Sequence, residues 1–306
     1  VVGCGFVGAA TAFTLMQSGL FSEMVLIDAN FDKADGEAKD ISHGIPFAGQ
    51  MKIYAGDYDD ASDAAIMIIT AGANQAPGET RLDLVSKNVA IYKEIIPEVA
   101  RRDFHGIMLI VSNPVDILTH VAVKLSGLPE NRVIGSGTVL DTARLKYAIG
   151  QHLDVDSRSV HAFIIGEHGD SEIAAWGSTN VSGIPLTDFC EMRGHTDHKQ
   201  EMRRIAEEVK GSAYDIIAKK RATYYGIAMS VRRICECIMR DEKSILPVSA
   251  EMHGEYGIEG IALSMPSIVG SSGFETHVPI QLTPDEADAL RRSAGILRDV
   301  ISGLDI

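Results

Sequence analysis

Three glycines in the first eight residues, Gly3-Cys4-Gly5-Phe6-Val7-Gly8, constrain the fold more than any other feature of this chain. They precede a helical stretch, Ala9 to Gln17, so a strand must turn abruptly into a helix here. Gly3 permits the tight turn, Gly5 leaves the backbone open to a close ligand, and Gly8 lets helix and strand pack closely. The unpaired N–H groups at the start of that helix favour an anion. Asp28 follows Gly8 by twenty residues, at the end of the apolar run Met24-Val25-Leu26-Ile27. A carboxylate at that point accepts hydrogen bonds from ribose hydroxyls and repels a 2′-phosphate. The pattern therefore predicts an NAD site rather than an NADP site, built from Gly3, Gly5, Phe6, Val7, Gly8 and Asp28. A glycine-rich turn without a ligand is the alternative, and it leaves the acid at this spacing unexplained.

Further apolar runs, Ala65 to Ile69 and Ile107 to Val111, read as buried parallel strands. Between them Val85, Val89, Tyr92, Ile96 and Val99 recur at helical spacing, predicting a helix from about Leu84 to Arg102. The alternation implies an α/β fold, a Rossmann doubly wound parallel sheet over residues 1–135, followed by an α+β catalytic domain over 136–306. The boundary is placed near Gly135-Ser136-Gly137. In the second part Met202, Ile205, Val209, Ala213 and Ile216 mark a long amphipathic helix, and Ser244–Val248 and Ile261–Met265 read as strands. Thr283-Pro284-Asp285-Glu286 carries the N-cap, proline and N3 glutamate of a final helix. No linker separates the halves, which are expected to pack tightly. The chain opens at Val1-Val2 inside an apparent strand, so further residues of that strand, and an N-terminal arm, are expected before it.

The net charge of −14 argues against a general nucleic-acid or acidic-membrane binder, though a few local arginines can still hold a small anion. No apolar run reaches the length of a membrane span. Cys4, Cys190, Cys235 and Cys237 form no CxxC pair, which suits a reducing cytoplasm and supplies no structural zinc set. Cys235 and Cys237 are expected on different faces of a helix.

Four segments can carry chemistry. Gly166-Glu167-His168-Gly169-Asp170-Ser171 follows the apolar run Val160 to Ile165 and sets a histidine between glycines, placed for reach and able to exchange a proton near neutral pH. Gly72 to Arg81 is a long polar connection leaving the carboxyl end of a strand, where ligands of such sheets bind. As a lid it would exclude water and bring the Arg81 charge to a polarised carbonyl; otherwise Arg81 is a solvated surface arginine. Gly72, Ala73 and Asn113 are expected beside the cofactor. Ser112-Asn113-Pro114 leaves the next strand, and Asn113 either binds a ligand amide or carbonyl or starts the following helix. Asp141 and Arg144 share a helix face, as a local ion pair or with separate duties: Asp141 orienting His168, Arg144 clamping a carboxylate through two parallel hydrogen bonds.

With these motifs and with Gly137-Thr138-Val139-Leu140-Asp141-Thr142-Ala143-Arg144, in this order, the chain resembles the L-lactate and L-malate dehydrogenase family over nearly its whole length, and most of all its bacterial L-lactate branch. The resemblance implies that His168 is the proton donor and acceptor, Asp141 its carboxylate partner, Arg144 the substrate clamp and Arg81 the lid arginine. It also implies Asn113 beside the substrate oxygen and Thr223 lining the substrate pocket. The reaction implied is reversible hydride transfer from NADH to pyruvate, giving L-lactate, as in fermentative glycolysis. Gln75 stands where malate dehydrogenases typically carry arginine, which favours pyruvate over oxaloacetate, because a second carboxylate facing glutamine in a dry site stays unpaired. Malate or another L-2-hydroxy acid is the alternative substrate, and a non-catalytic NAD-binding protein the alternative class.

The family is usually tetrameric, so a homotetramer is expected. Many bacterial relatives bind fructose 1,6-bisphosphate between subunits through an arginine and a histidine. His161 matches the histidine, whereas Lys146 replaces the arginine and loses its planar fork, so weak, altered or absent activation is expected. His195-Thr196-Asp197-His198 has metal-ligand spacing without an evident third ligand, so no metal is assigned. His43, His105, His120, His152, His253 and His277 are assigned surface or capping roles.

Overall fold

The structure, a computed structural model, describes residues 1–73 and 81–304; the side chains of Ala61 and Arg81 lie outside the description. The glycine turn is built at the centre of a parallel sheet. Val2 bridges Ile27 on one side and Ile69 on the other. Strands β1 (Glu23–Leu26), β2 (Lys52–Ala55), β3 (Ile66–Ile69), β4 (Ile107–Ile110) and β5 (Val133–Gly135) complete the order β2-β1-Val2-β3-β4-β5. This is the doubly wound order that the alternating pattern predicts, and it places the switch point beside the glycine turn.

Side chains on these strands alternate between two cores, as a period of two requires. Met108 and Ile110 of β4 pack with helices α3 (Arg81–Ala100) and α4 (Val115–Ser126), whereas Ile107 and Leu109 pack with α1 (Phe6–Met16) and α2 (Phe31–Ser42). Both faces are therefore covered, which explains the uninterrupted apolar runs. A third core lies under α5 (Val139–Leu153), from Leu145, Ile149 and Leu153 to Val160, Ile164, Ile205 and Val209.

The sheet does not stop at the end of the first half. Ser249 of the long strand Ser244–His253 pairs with Gly135 of β5, and Glu259–Gly270 and Gly273–His277 extend the sheet antiparallel. The halves thus share a hydrogen-bonded sheet, which bears out tight packing. The same extension corrects two histidine assignments. His120 and His277 are buried, at 4% and 5% exposure. His120 Nδ1 lies 2.6 Å from Glu251 Oε1, and His277 lies 3.0 Å from both Ser267 Oγ and the Glu251 carbonyl. Strands of the second half cover His120 from across the sheet, and pack around His277 within their own half.

The expected run Val160 to Ile165 is two short strands with different partners. Val160–His161 pairs with Asn180–Val181, and Ile164–Ile165 with Ile173–Ala174. Cys235 and Cys237, expected on different faces of a helix, are both fully buried in Tyr225–Met239, because that helix is covered on more than one side. All four cysteines are free. The last helix, Pro284–Ser302, has the full capping box: Thr283 accepts from the Glu286 N–H while the Glu286 carboxylate accepts from the Thr283 N–H. A cavity of about 750 Å³ lies at the amino ends of β1 and β3, lined by Glu23, Val25, Ala64 and Ile66. Ligands of open α/β sheets bind at the other end of the strands, so its size does not mark the site.

Candidate active site

His168 is presented on a turn that needs glycine on both sides. Gly166 has φ +90° and Gly169 φ +156°, values that disfavour a side chain. Gly166 exchanges two backbone hydrogen bonds with Ser264, at 2.9 and 3.2 Å, which fixes the turn against the sheet. Asp141 arrives from the first turn of α5. Two hydroxyls stitch that turn to the strand before Gly166: Thr138 Oγ1 donates to the Ile164 carbonyl at 2.5 Å, and Thr142 Oγ1 accepts from the Ile164 N–H at 2.9 Å. Residues 27 apart in sequence then meet, with His168 Nδ1 2.5 Å from Asp141 Oδ2.

The other Asp141 oxygen, Oδ1, accepts from Arg144 Nη1 at 2.8 Å. The local ion pair and the orienting role therefore coexist on one carboxylate, which is 2% exposed. Arg144 keeps its remaining guanidinium N–H groups for an anion.

Burial disfavours charge on His168, but the charge of Asp141, the hydrogen bond to it and the charges of Asp116 and Glu172 together push its pKa up to about 9. Asp141 is pulled down despite its burial, by His168 and Arg144. Glu172 escaped the sequence reading, because a glutamate just past the histidine motif reads as surface charge. Burial, then the nearby charge of Asp141, push it up to about 8, against His168, Arg144 and Lys210. Among the described residues, Asp141, His168 and Glu172 form the only trio of potential metal donors within 4.8 Å of one another. Each Asp141 oxygen is already engaged, one by His168 and the other by Arg144, and the raised pKa of His168 and Glu172 makes the trio a proton-holding cluster.

The glycine turn fits a dinucleotide on its own geometry. A Cβ on Gly8 would lie 1.9 Å from the Gly3 carbonyl oxygen, and one on Gly3 2.6 Å from Ala71 N. A Cβ on Gly5 would meet no atom within 4 Å. Two glycines thus serve packing, and the third opens onto free space above the start of α1. Asp28 accepts from Cys4 N–H at 2.7 Å and from Asn30 N–H at 2.9 Å, which ties the carboxylate to the turn. Thr70 Oγ1 donates to the Gly3 carbonyl at 2.7 Å and braces the turn from β3.

Asn88, a buried residue of α3, was also missed by sequence reading. Its Oδ1 accepts from Ala73 N–H at 2.7 Å, and its Nδ2 donates to the Asn113 carbonyl at 2.7 Å. It joins the two loops at the carboxyl edge of the sheet, next to Gly72. A buried asparagine at a helical core position in sequence is the only signal it leaves.

The family model described as the lactate/malate dehydrogenase NAD-binding domain matches residues 1–135, and that of the alpha/beta C-terminal domain matches 138–304. The L-lactate dehydrogenase of Acetivibrio thermocellus is 52% identical over 306 residues, covering all of this chain and 96% of the relative. That of Priestia megaterium is 50% identical, covering 97% and 93%. The crystal structure of minor L-lactate dehydrogenase from Enterococcus mundtii, in its ligands-bound form, superposes with a TM-score of 0.96 at 44% identity, covering all of this chain and 97% of that one.

The chain belongs to the lactate/malate dehydrogenase family.

In this dehydrogenase the remaining expected positions fall as follows. Asn113 is exposed on the loop before α4, and Thr223 is half-buried just before the helix Tyr225–Met239. That helix packs on the same face of the sheet as α1, and Tyr224 stacks on Phe6 with ring centroids 5.5 Å apart. The segment that carries Thr223 is thereby brought to the glycine turn. Gln75 lies outside the described residues, as does the side chain of Arg81; the backbone of Arg81 begins α3. His161 is exposed and Lys146 half-buried, its pKa lowered by burial. His152, assigned to the surface, instead packs against His195 with ring centroids 4.4 Å apart and planes tilted by 48°, and lies 3.7 Å from Glu201. Folding thus brings a third histidine towards His195 and His198, without convergent donor atoms.

Proposed function

We propose that this chain is an NAD-dependent L-lactate dehydrogenase, catalysing the reversible reduction of pyruvate to L-lactate. The observation that carries the reading is the 2.5 Å contact of His168 with a buried aspartate that also holds Arg144. A histidine and an arginine on one buried carboxylate support a proton donor beside a carboxylate clamp, and relatives about half identical over nearly the full chain bear this name. NADH, when bound on the glycine turn, supplies the hydride.

The residues of the chain do the rest. Arg144 holds the substrate carboxylate by two parallel hydrogen bonds. Asp141 keeps the His168 imidazole in one orientation with its proton on Nδ1, which leaves Nε2 to give its proton to the oxygen that becomes the hydroxyl. In the reverse direction neutral His168 takes that proton back. Arg81 polarises the carbonyl, Asn113 donates to the same oxygen, and Thr223 closes the pocket wall. Gly72 and Ala73 lie along the cofactor with Gly3, Gly5, Phe6, Val7, Gly8 and Asp28. Residues 1–135 hold the cofactor and 136–306 supply most of the catalytic groups.

Initial rates of NADH oxidation with pyruvate, oxaloacetate and branched 2-oxoacids test the reading; negligible rates with pyruvate overturn it. Gln75 sets the choice among these substrates. Gln75→Arg is expected to shift kcat/KM towards oxaloacetate, because it pairs a carboxylate that glutamine leaves bare, and an unchanged ratio refutes this role. The working assembly is a homotetramer in the cytoplasm. Among the described residues no helix is long and apolar enough to cross a membrane. With Lys146 in place of an arginine fork, fructose 1,6-bisphosphate activates weakly or not at all; a strong fall in pyruvate KM on its addition contradicts this.

A further inference from the structure

We propose that Asp116 is a positioning residue for this reaction, fixing His168 through its backbone while Asp141 fixes it through its ring. The inference rests on the activity proposed above and adds a residue to it. Asp116 sits in the first turn of α4, three residues after Asn113, and is 1% exposed. Its Oδ2 accepts the His168 backbone N–H at 2.7 Å, and its Oδ1 accepts the Ser264 hydroxyl at 2.9 Å. Ser264 is also the residue whose backbone exchanges two hydrogen bonds with Gly166. One carboxylate therefore ties together three segments distant in sequence, α4, the histidine turn and the strand Glu259–Gly270.

A buried carboxylate is costly, and packing alone does not call for one. Burial pushes Asp116 up, opposed by Ser249, His168 and Ser264, and the positive end of α4 favours the charged form. The charge is directed at one place. It is one of three carboxylates that favour the proton on His168, with Asp141 of α5 and Glu172; the cations facing this cluster are Arg144 of α5 and Lys210 of the helix His198–Lys220. Asp116 is buried and acts through His168 and Ser264. Its effect is geometric and electrostatic: with the His168 main chain held at one end and the imidazole at the other, the ring has little freedom to swing. Because Asn113 lies on the same short segment, Asp116 also sets the separation between the two groups expected at the substrate oxygen.

The test compares Asp116→Asn, Asp116→Ala and Ser264→Ala with the wild type. The readouts are pH–rate profiles with NADH and pyruvate, NMR titration of the His168 imidazole in the substrate-free protein, and hydrogen–deuterium exchange of the peptide carrying His168. Asp116→Asn keeps the shape and removes the charge. It is expected to lower the His168 pKa by at least about half a unit and kcat by roughly 3- to 10-fold, with pyruvate KM and NADH affinity within about twofold. Asp116→Ala is expected to lose about 30-fold or more in kcat, with faster exchange around His168. Ser264→Ala moves the same readouts less. Should Asp116→Ala fail to fold, the isosteric variant and Ser264→Ala decide. An unchanged imidazole pKa and unchanged exchange in these variants overturn the proposal, as does a fall in Tm alone. If the wild type does not reduce pyruvate, the activity reading fails by itself, and the titration and exchange still decide whether Asp116 positions His168.

Discussion

Asp141→Asn tests what the Asp141 charge contributes to the His168 pKa: asparagine keeps the shape and one acceptor oxygen for His168, but loses the negative charge and turns an amide NH2 towards Arg144 in place of an accepting oxygen. The His168 pKa stands at about 9 against an ordinary 6.5, so the folded site favours the protonated ring by about 3 kcal/mol. That balance already includes burial, which opposes the charge, so without Asp141 the pKa is expected to fall to about 6.5 or below. At about pH 7 the protonated fraction then drops from nearly all to roughly a quarter, which alone costs about 4-fold in pyruvate reduction. Loss of the partner of Arg144 and of charge stabilisation adds to this, up to the roughly 300-fold that about 3 kcal/mol allows. The assay is NADH absorbance against pH between about 5 and 10, at saturating and limiting pyruvate. Wild-type reduction falls as pH rises through about 9, and the variant falls through a point at least about two units lower. A limb that stays within about half a unit of the wild type refutes the assignment of Asp141 as the source of the shift.

The same pKa values fix the sign of the stability change. Both His168 and Glu172 bind their protons more tightly in the folded protein, so their contributions are complete below the unfolded values and are lost on raising the pH, through about 9 for His168 and about 8 for Glu172. Chemical denaturation of the substrate-free enzyme should show stability falling across that window, with a shallower fall in Asp141→Asn. Glu172→Gln prevents a negative charge from forming beside Arg144 above about pH 8, so its pyruvate KM should rise less steeply with pH than that of the wild type; parallel rises show that Glu172 does not sense the substrate site. Gly5→Ala and Gly8→Ala separate cofactor fit from folding. Nothing in the protein meets a Cβ at Gly5, so that variant should keep its Tm while NADH affinity, read by fluorescence titration, falls about tenfold or more. At Gly8 the Cβ would lie 1.9 Å from a carbonyl oxygen, so both Tm and affinity should fall, and equal stability in the two variants contradicts the division.

Where the chain writes its chemistry in contiguous residues, the sequence is enough. The glycine turn, Asp28, the strand–helix alternation and the histidine between two glycines all follow from local backbone requirements, and each stands where spacing places it. Their burial by both faces of the sheet accounts for the apolar runs. What depends on residues far apart was legible only as a possibility. The sequence left Asp141 and Arg144 as either an ion pair or separate groups, and folding makes one carboxylate serve both His168 and Arg144. His120 and His277 read as surface residues, because what buries them is distant in sequence or sheet-dependent: Glu251 from the opposite half for His120, and the neighbouring antiparallel strands for His277.

The fold class, the glycine turn and the placement of His168 need only local geometry and short-range pattern, and the chain itself carries them. Tertiary structure alone decided how strongly that histidine holds its proton and what keeps it in place. Asp141, Glu172 and Asp116 act through distance and burial, and neither is a property of sequence spacing.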